Sequence, residues 1–279
     1  MKRIQMLVAA SLVLFLSAES RSEQSKMLKV VLVGDSTTIG NLPREVNPDG
    51  LFLEGMIEVL AEAEGLPPLE VVNTGKGGET AKRLLASGHY DKAIAGIPDV
   101  DYIFVRLGIN DWFRCDDFQA DFPVQMKAVL DRLRADHPDA QLILATICRF
   151  MPEDACEEVN ALIAKIAVQE KLDLFDLYTP YNRFLRENGV NSLNVRQIEL
   201  AKVPEKYHAW LKSYTQFRKG WGGREDAFVV KFDGIELDPV LGKVKGWYYD
   251  RHPNTAGYNL IANETVKYLA PILRERAKK

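Results

Sequence analysis

Two hydrophobic rhythms alternate along the chain. Short continuous apolar runs occupy Leu28 to Val33, Leu69 to Asn73, Tyr102 to Leu107, Gln141 to Ile147 and Leu172 to Leu177. Runs of this length, rich in Val, Ile and Leu, read as strands buried on both faces. Between them lie segments with helical spacing. Leu51 to Glu64 carries Leu53, Met56, Ile57, Leu60 and Ala61 on one stripe, and Pro123 to Asp136 carries Met126, Val129, Leu130 and Leu133. Thr80 to Ala86, Cys156 to Glu170 and Asn259 to Arg276 complete the predicted helices, and His137-Pro138 closes the third. Strands alternating with helices predict a parallel sheet with right-handed crossovers, covered by helices on both faces.

Residues 179 to 249 depart from this rhythm. They are rich in Tyr, Trp, Lys and Arg and poor in long apolar runs. The spacing predicts a helix within Val195 to Phe217, a turn at Gly220-Trp221-Gly222-Gly223, and short strands at Phe228 to Phe232 and Gly246 to Tyr249. A structureless excursion of this length is rare inside a compact domain, so the segment is expected to form a cap or wall. Trp210, Tyr214 and Phe217 fall at helical spacing and read as part of its small core. Trp221 and Trp247 suit that core or the stacking of a sugar ring equally.

The strands end in chemically loaded loops. The first stops at Gly34-Asp35-Ser36-Thr37, the second runs into Asn73-Thr74-Gly75-Lys76-Gly77-Gly78-Glu79-Thr80, and the third into Gly108-Ile109-Asn110-Asp111. Far downstream stands Asp250-Arg251-His252-Pro253-Asn254. Serine is a weak nucleophile without a base to take its proton and a carboxylate to orient that base. The carboxyl ends of parallel strands are where α/β folds place their ligand crevices. Ser36 is therefore the candidate nucleophile, His252 the base and Asp250 its orienting acid. The N–H groups of Ser36 and Gly78 and the side chain of Asn110 are candidate donors to an oxyanion. Asp35 and Asp111 read as braces for their turns. His137, in Asp136-His137-Pro138, mimics the Asp250-Arg251-His252-Pro253 block only superficially, because it lies between a helix and the start of a strand and so at the wrong end of the sheet. His89 and His208 read as surface or packing residues. The Lys76-Gly77-Gly78 order does not match a phosphate loop. Arg149 follows the fourth strand near the same rim and is a candidate contact for an anionic substrate, or a plain salt-bridge partner.

These four blocks, in this order and approximate spacing, resemble those of the SGNH (GDSL-type) hydrolases, over most of residues 28 to 275 outside the 179–249 insertion. The resemblance implies a three-layer α/β/α, flavodoxin-like fold with a central parallel sheet and a cap-like segment inserted before the catalytic His. It also implies an acyl-ester hydrolase that needs no metal or other cofactor. The commonest family pattern places the acid three residues before the His, which here is Tyr249. This chain instead has Asp250 two before, as in some relatives. The expected activity is hydrolysis of short acyl esters, acetyl above all, on carbohydrate. The alternatives are a lipid-directed esterase or lysophospholipase, an O-acyltransferase on the same scaffold, and an inactive carbohydrate-binding protein.

Composition sets the remaining bounds. The chain has 279 residues, 47% hydrophobic and 27% charged, which suits one large domain, taken as residues 27–279. A net charge of −3 offers no basic field for nucleic acid or an anionic membrane. Lys2 and Arg3, the apolar stretch Met6 to Leu16, and the small residues Ser17, Ala18 and Ser20 read as a cleaved signal peptide over residues 1–20, hence a secreted or periplasmic protein with no lasting membrane anchor. In an oxidising compartment the three cysteines, Cys115, Cys148 and Cys156, permit one disulfide. Cys148–Cys156 and either pairing of Cys115 are open.

Overall fold

A computed structural model describes residues 26–149, 152–220 and 225–276. Five parallel strands form the central sheet: β1 (Leu28–Gly34), β2 (Leu69–Asn73), β3 (Tyr102–Arg106), β4 (Gln141–Ala145) and β5 (Asp173–Phe175), in the order β2-β1-β3-β4-β5. Leu28 pairs with Leu69 and Val30 with Tyr102, so β1 and β3 lie at the centre, with Val30, Val31, Val33, Ile103 and Val105 buried. Burying a Val or Ile side chain contributes roughly 1.5–3 kcal/mol, and this apolar spine is what makes the sheet the centre of the core.

The helices are α1 (Ser36–Ile39), α2 (Asn41–Val46), α3 (Leu53–Ala63), α4 (Ala81–Ala86), α5 (His89–Ala93), α6 (Ile109–Arg114), α7 (Phe118–Asp136), α8 (Glu153–Glu170), α9 (Tyr178–Glu187), α10 (Asp238–Leu241) and α11 (Thr255–Arg276). α3 packs on α11, while α4 packs on α7 and α7 on α8, giving a three-layer α/β/α fold. Strand order reverses between β1 and β3, which opens a crevice at their carboxyl ends.

α7 begins five residues before the position the sequence suggests. Asp117 caps it by accepting from the Ala120 N–H, and the stacked rings of Phe118 and Phe122 extend the apolar stripe. Pro123, read as a helix start, lies in the second turn.

The insertion departs further from its sequence pattern. Val195 to Phe217 is not a helix. It holds strand β6 (Arg196–Glu199), three short 3₁₀ turns and strand β7 (Thr215–Arg218). Both strands pair antiparallel with β8 (Ala227–Phe232) in the order β6-β8-β7. Pro204 lacks an N–H and sits in the turn region between them, and the alternating burial of Arg196 to Glu199 has strand period. Gly246 to Tyr249 forms turns, not a strand. Ile198, Val203, Leu211, Val230, Leu237, Leu241 and Trp247 make a second, separate core. Tyr214 packs against it, whereas Trp210 and Phe217 are exposed.

No disulfide joins the cysteines. Cys148 and Cys156 are buried, and the Cys156 thiol donates to the Cys148 carbonyl at 3.6 Å. The signal-peptide reading of residues 1–20 and the turn at Trp221 to Gly223 fall outside the described residues.

Candidate active site

Ser36 owes its position to the abrupt end of β1. A Cβ at Gly34 would lie 2.1 Å from Thr38 Oγ1 and 2.9 Å from the Arg106 carbonyl, so only glycine lets the chain double back into α1 at once. Asp35 caps that helix, its Oδ1 accepting from the Thr37 N–H at 2.8 Å and the Thr37 hydroxyl at 2.7 Å. The Arg106 guanidinium then holds the turn from β3, donating to the Thr37 carbonyl at 2.6 Å and to Thr38 Oγ1 at 3.2 Å. Burial pushes the Asp35 carboxyl above its ordinary value, against the pull of the Thr37 hydrogen bonds and of the charges on Arg106 and His252.

The distant Asp250-Arg251-His252 segment meets Ser36 directly. His252 Nε2 lies 3.0 Å from Ser36 Oγ, and His252 Nδ1 lies 2.9 Å from Asp250 Oδ1. With Nδ1–H donating to the carboxylate, Nε2 is left free to accept the serine proton. The same Asp250 oxygen accepts from the His252 backbone N–H at 2.8 Å, which is how an acid two residues before the His reaches its ring. Tyr249, at the commoner position, is 72% exposed. The loop is braced from the insertion side: the Val195 N–H donates to the His252 carbonyl, and Asn194 Nδ2 to the Asp250 carbonyl. Burial draws the imidazole pKa down, but the hydrogen bond and charge of Asp250, with the charge of Asp35, outweigh it and set it above the ordinary histidine value.

The other two loops close the crevice. Asn110 lies in the first turn of α6 and donates to the Glu79 carbonyl at 3.0 Å and, more loosely, to Asp35 Oδ2 at 3.4 Å. This ties the β3 loop both to the β2 loop and to the Ser36 turn. Gly78 has φ +69, a left-handed conformation that disfavours other residues, and its carbonyl accepts from Arg83 Nη1 at 3.1 Å and Arg114 Nη1 at 2.5 Å. Asp111 is fully buried, accepting from the Ala81 N–H at 2.8 Å and the Gly108 N–H at 3.1 Å. Burial raises its carboxyl to about 6. Its bracing role is the one expected from the sequence.

Of the candidate substrate contacts, Trp247 is fully buried and its Nε1–H donates to Asp238 Oδ1 at 2.7 Å. It belongs to the insertion's core and offers no face to a sugar. Trp221 lies outside the described residues. Arg149 lines a cleft beside the His252 loop, 3.8 Å from Glu153. His89 and His208 bond the backbone carbonyls of Thr74 and Val203, and buried His137 sits at the far end of the sheet, after α7. Arg106, Arg83, Arg114 and Asn194 support the site without belonging to any of the four sequence blocks; they act through backbone carbonyls, which leave no motif. Among the described residues no group of three or more His, Cys, Asp and Glu side chains is arranged to hold a metal ion.

A family model for the GDSL-like lipase/acylhydrolase family matches residues 32–260, from inside β1 into α11 and across all four loops. The chain belongs to that family. The GDSL-like family identity makes it a carboxylic ester hydrolase. Solved structures agree on the fold. A lipase/acylhydrolase from Enterococcus faecalis aligns with a TM-score of 0.56 at 18% identity, over 88% of this chain and 97% of that one. Axe2, an acetylxylan esterase from Geobacillus stearothermophilus, aligns with a TM-score of 0.51 at 16% identity, over 88% and 95%. No curated protein sequence matches this GDSL-like chain.

Proposed function

We propose that the protein is an exported serine esterase that removes short acyl groups, acetyl first among them, from carbohydrate. His252 Nε2 takes the Ser36 proton as Oγ adds to the ester carbonyl. The tetrahedral oxyanion is received by the N–H groups of Ser36 and Gly78 and by the Asn110 amide hydrogen that otherwise reaches Asp35 at 3.4 Å. His252 then protonates the departing sugar oxygen, leaving an acyl-serine. Water, deprotonated by the same imidazole, attacks the acyl carbon and frees the carboxylic acid and Ser36. One observation carries the reading: the unbroken chain from Ser36 Oγ through His252 to Asp250, at 3.0 and 2.9 Å. Each well-placed oxyanion donor is worth roughly 3 kcal/mol of transition-state stabilisation.

The carbohydrate assignment rests on the leaving-group side. The cleft against the His252 loop is lined by Asn191, Ser192, Asn194, Tyr248 and two arginines, a surface suited to hydroxyl groups. Export is inferred from residues 1–20. The test is a series of 4-nitrophenyl esters of rising acyl length together with acetylated oligosaccharides. Acetate release from the sugars and a decline beyond short chains are expected. Activity that rises with chain length would favour the lipid-directed alternative.

A further inference from the structure

The cleft beside the catalytic loop holds about 460 Å³ and is flanked by two guanidinium groups, those of Arg149 and Arg251. Neither is held by a short hydrogen bond to a carboxylate among the described residues. Arg149 forms a long, exposed ion pair with Glu153 at 3.8 Å, beyond hydrogen-bond reach. Arg251 makes no ion pair among the described residues; its guanidinium lies over the Phe113 ring, 4.0 Å from the centroid. The nearby carboxylate of Asp250 is engaged by His252. Stacking on an aromatic face fixes a guanidinium in place and leaves its in-plane N–H fork open. Burial pulls the Arg251 pKa down against the opposing pull of the Asp250 charge. Polar groups also line the cleft: Tyr248 accepts from Asn191 Nδ2 at 3.3 Å, Ser192 and Asn194 are in the lining, and Tyr249 is exposed.

The position of the pair decides what it would bind. Arg251 is the residue before His252, and His252 protonates the leaving oxygen. Arg251 also reaches Phe113 of α6, the helix whose first turn holds Asn110. On the esterase reading the alcohol half of the ester leaves from the side of His252, next to this pair. We propose that Arg149 and Arg251 form a subsite for a carboxylate on the leaving group, so that the preferred substrate is an acylated acidic sugar, a uronate residue, over a neutral one. This rests on the esterase reading above and narrows its substrate.

The test compares acetate release from an acetylated oligouronate with release from the same oligosaccharide after methyl esterification of its carboxylates, which removes the charge. A fork-type contact with a carboxylate predicts about a tenfold higher kcat/KM for the acid form. The ratio should shrink between about 50 and about 500 mM NaCl as the charges are screened. Arg251→Ala and Arg149→Ala should each bring it toward one, and Arg251→Lys should restore part of it. Calorimetric binding of the same pair to Ser36→Ala reads the subsite without catalysis. A ratio near one in the wild type, or a ratio kept in both Ala variants, overturns the subsite. Tighter binding of the acid form by Ser36→Ala with no ester hydrolysis by the wild type would instead keep the subsite and remove the esterase reading.

Discussion

Asp250→Ala isolates the most sensitive link in the proposed relay. The substitution removes the acceptor of both the His252 backbone N–H and the Nδ1–H. A hydrogen bond to a charged group is worth about 1.5–3 kcal/mol, so losing the one that orients the ring should lower kcat/KM roughly 10- to 150-fold. The pH profile adds a signature that simple damage would not produce. His252 works as a base only when neutral, and in the folded protein its pKa lies above the ordinary value because of Asp250 and Asp35. Activity should therefore fall on the acid side with a midpoint above 6.5. Without Asp250 the burial effect dominates, and that midpoint should move to lower pH. The stability linkage has the same origin. A histidine with a raised pKa contributes stability below its unfolded value and loses it as pH rises through the folded one. Initial rates on 4-nitrophenyl acetate between about pH 5 and 9 read the loss of kcat/KM and the shift of the acid limb. An unshifted acid limb, or Tyr249→Phe costing more than Asp250→Ala, would refute the assignment of the acid.

Two further expectations concern the scaffold. Arg196 is fully buried and bonds Asp238 at 2.6 and 2.8 Å, while Trp247 donates to the same carboxylate; Asp238→Ala strands both donors and should cost the insertion about 3–5 kcal/mol, seen as a lower denaturant midpoint. An unchanged midpoint would contradict this. Asp111 has a folded pKa of about 6 against an ordinary 3.8, so the stability it contributes is fully present below the unfolded value and is lost as pH rises through the folded one. The stability of the wild type relative to Asp111→Asn should fall across that window by roughly 3 kcal/mol, measured by urea unfolding. A pH-independent difference would show that Asp111 does not titrate there.

The sheet was legible because its strands are continuous apolar runs bounded by loops, and β2 falls at Leu69–Asn73 as the pattern predicts. α1 and α6 were not, since four to six residues cannot display a helical stripe. The insertion misled for a different reason. Its strands are held by pairing across long stretches of sequence, and buried Arg196 is paired with Asp238, 42 residues away. No local pattern marks such a strand as internal. Trp210, Tyr214 and Phe217 share helical spacing by coincidence. The site loops were readable because each follows a strand. Its supports were not, although Arg106, a charged residue closing the buried run of β3, was a visible irregularity.

The account depends on Ser36 being the group that attacks the acyl carbon. Mass spectrometry of the intact protein after exposure to a fluorophosphonate reads this directly. One adduct is expected, located on Ser36, absent in Ser36→Ala and slow to form in His252→Ala, with ester hydrolysis lost in step. An adduct on another residue, or undiminished hydrolysis by Ser36→Ala, would contradict it.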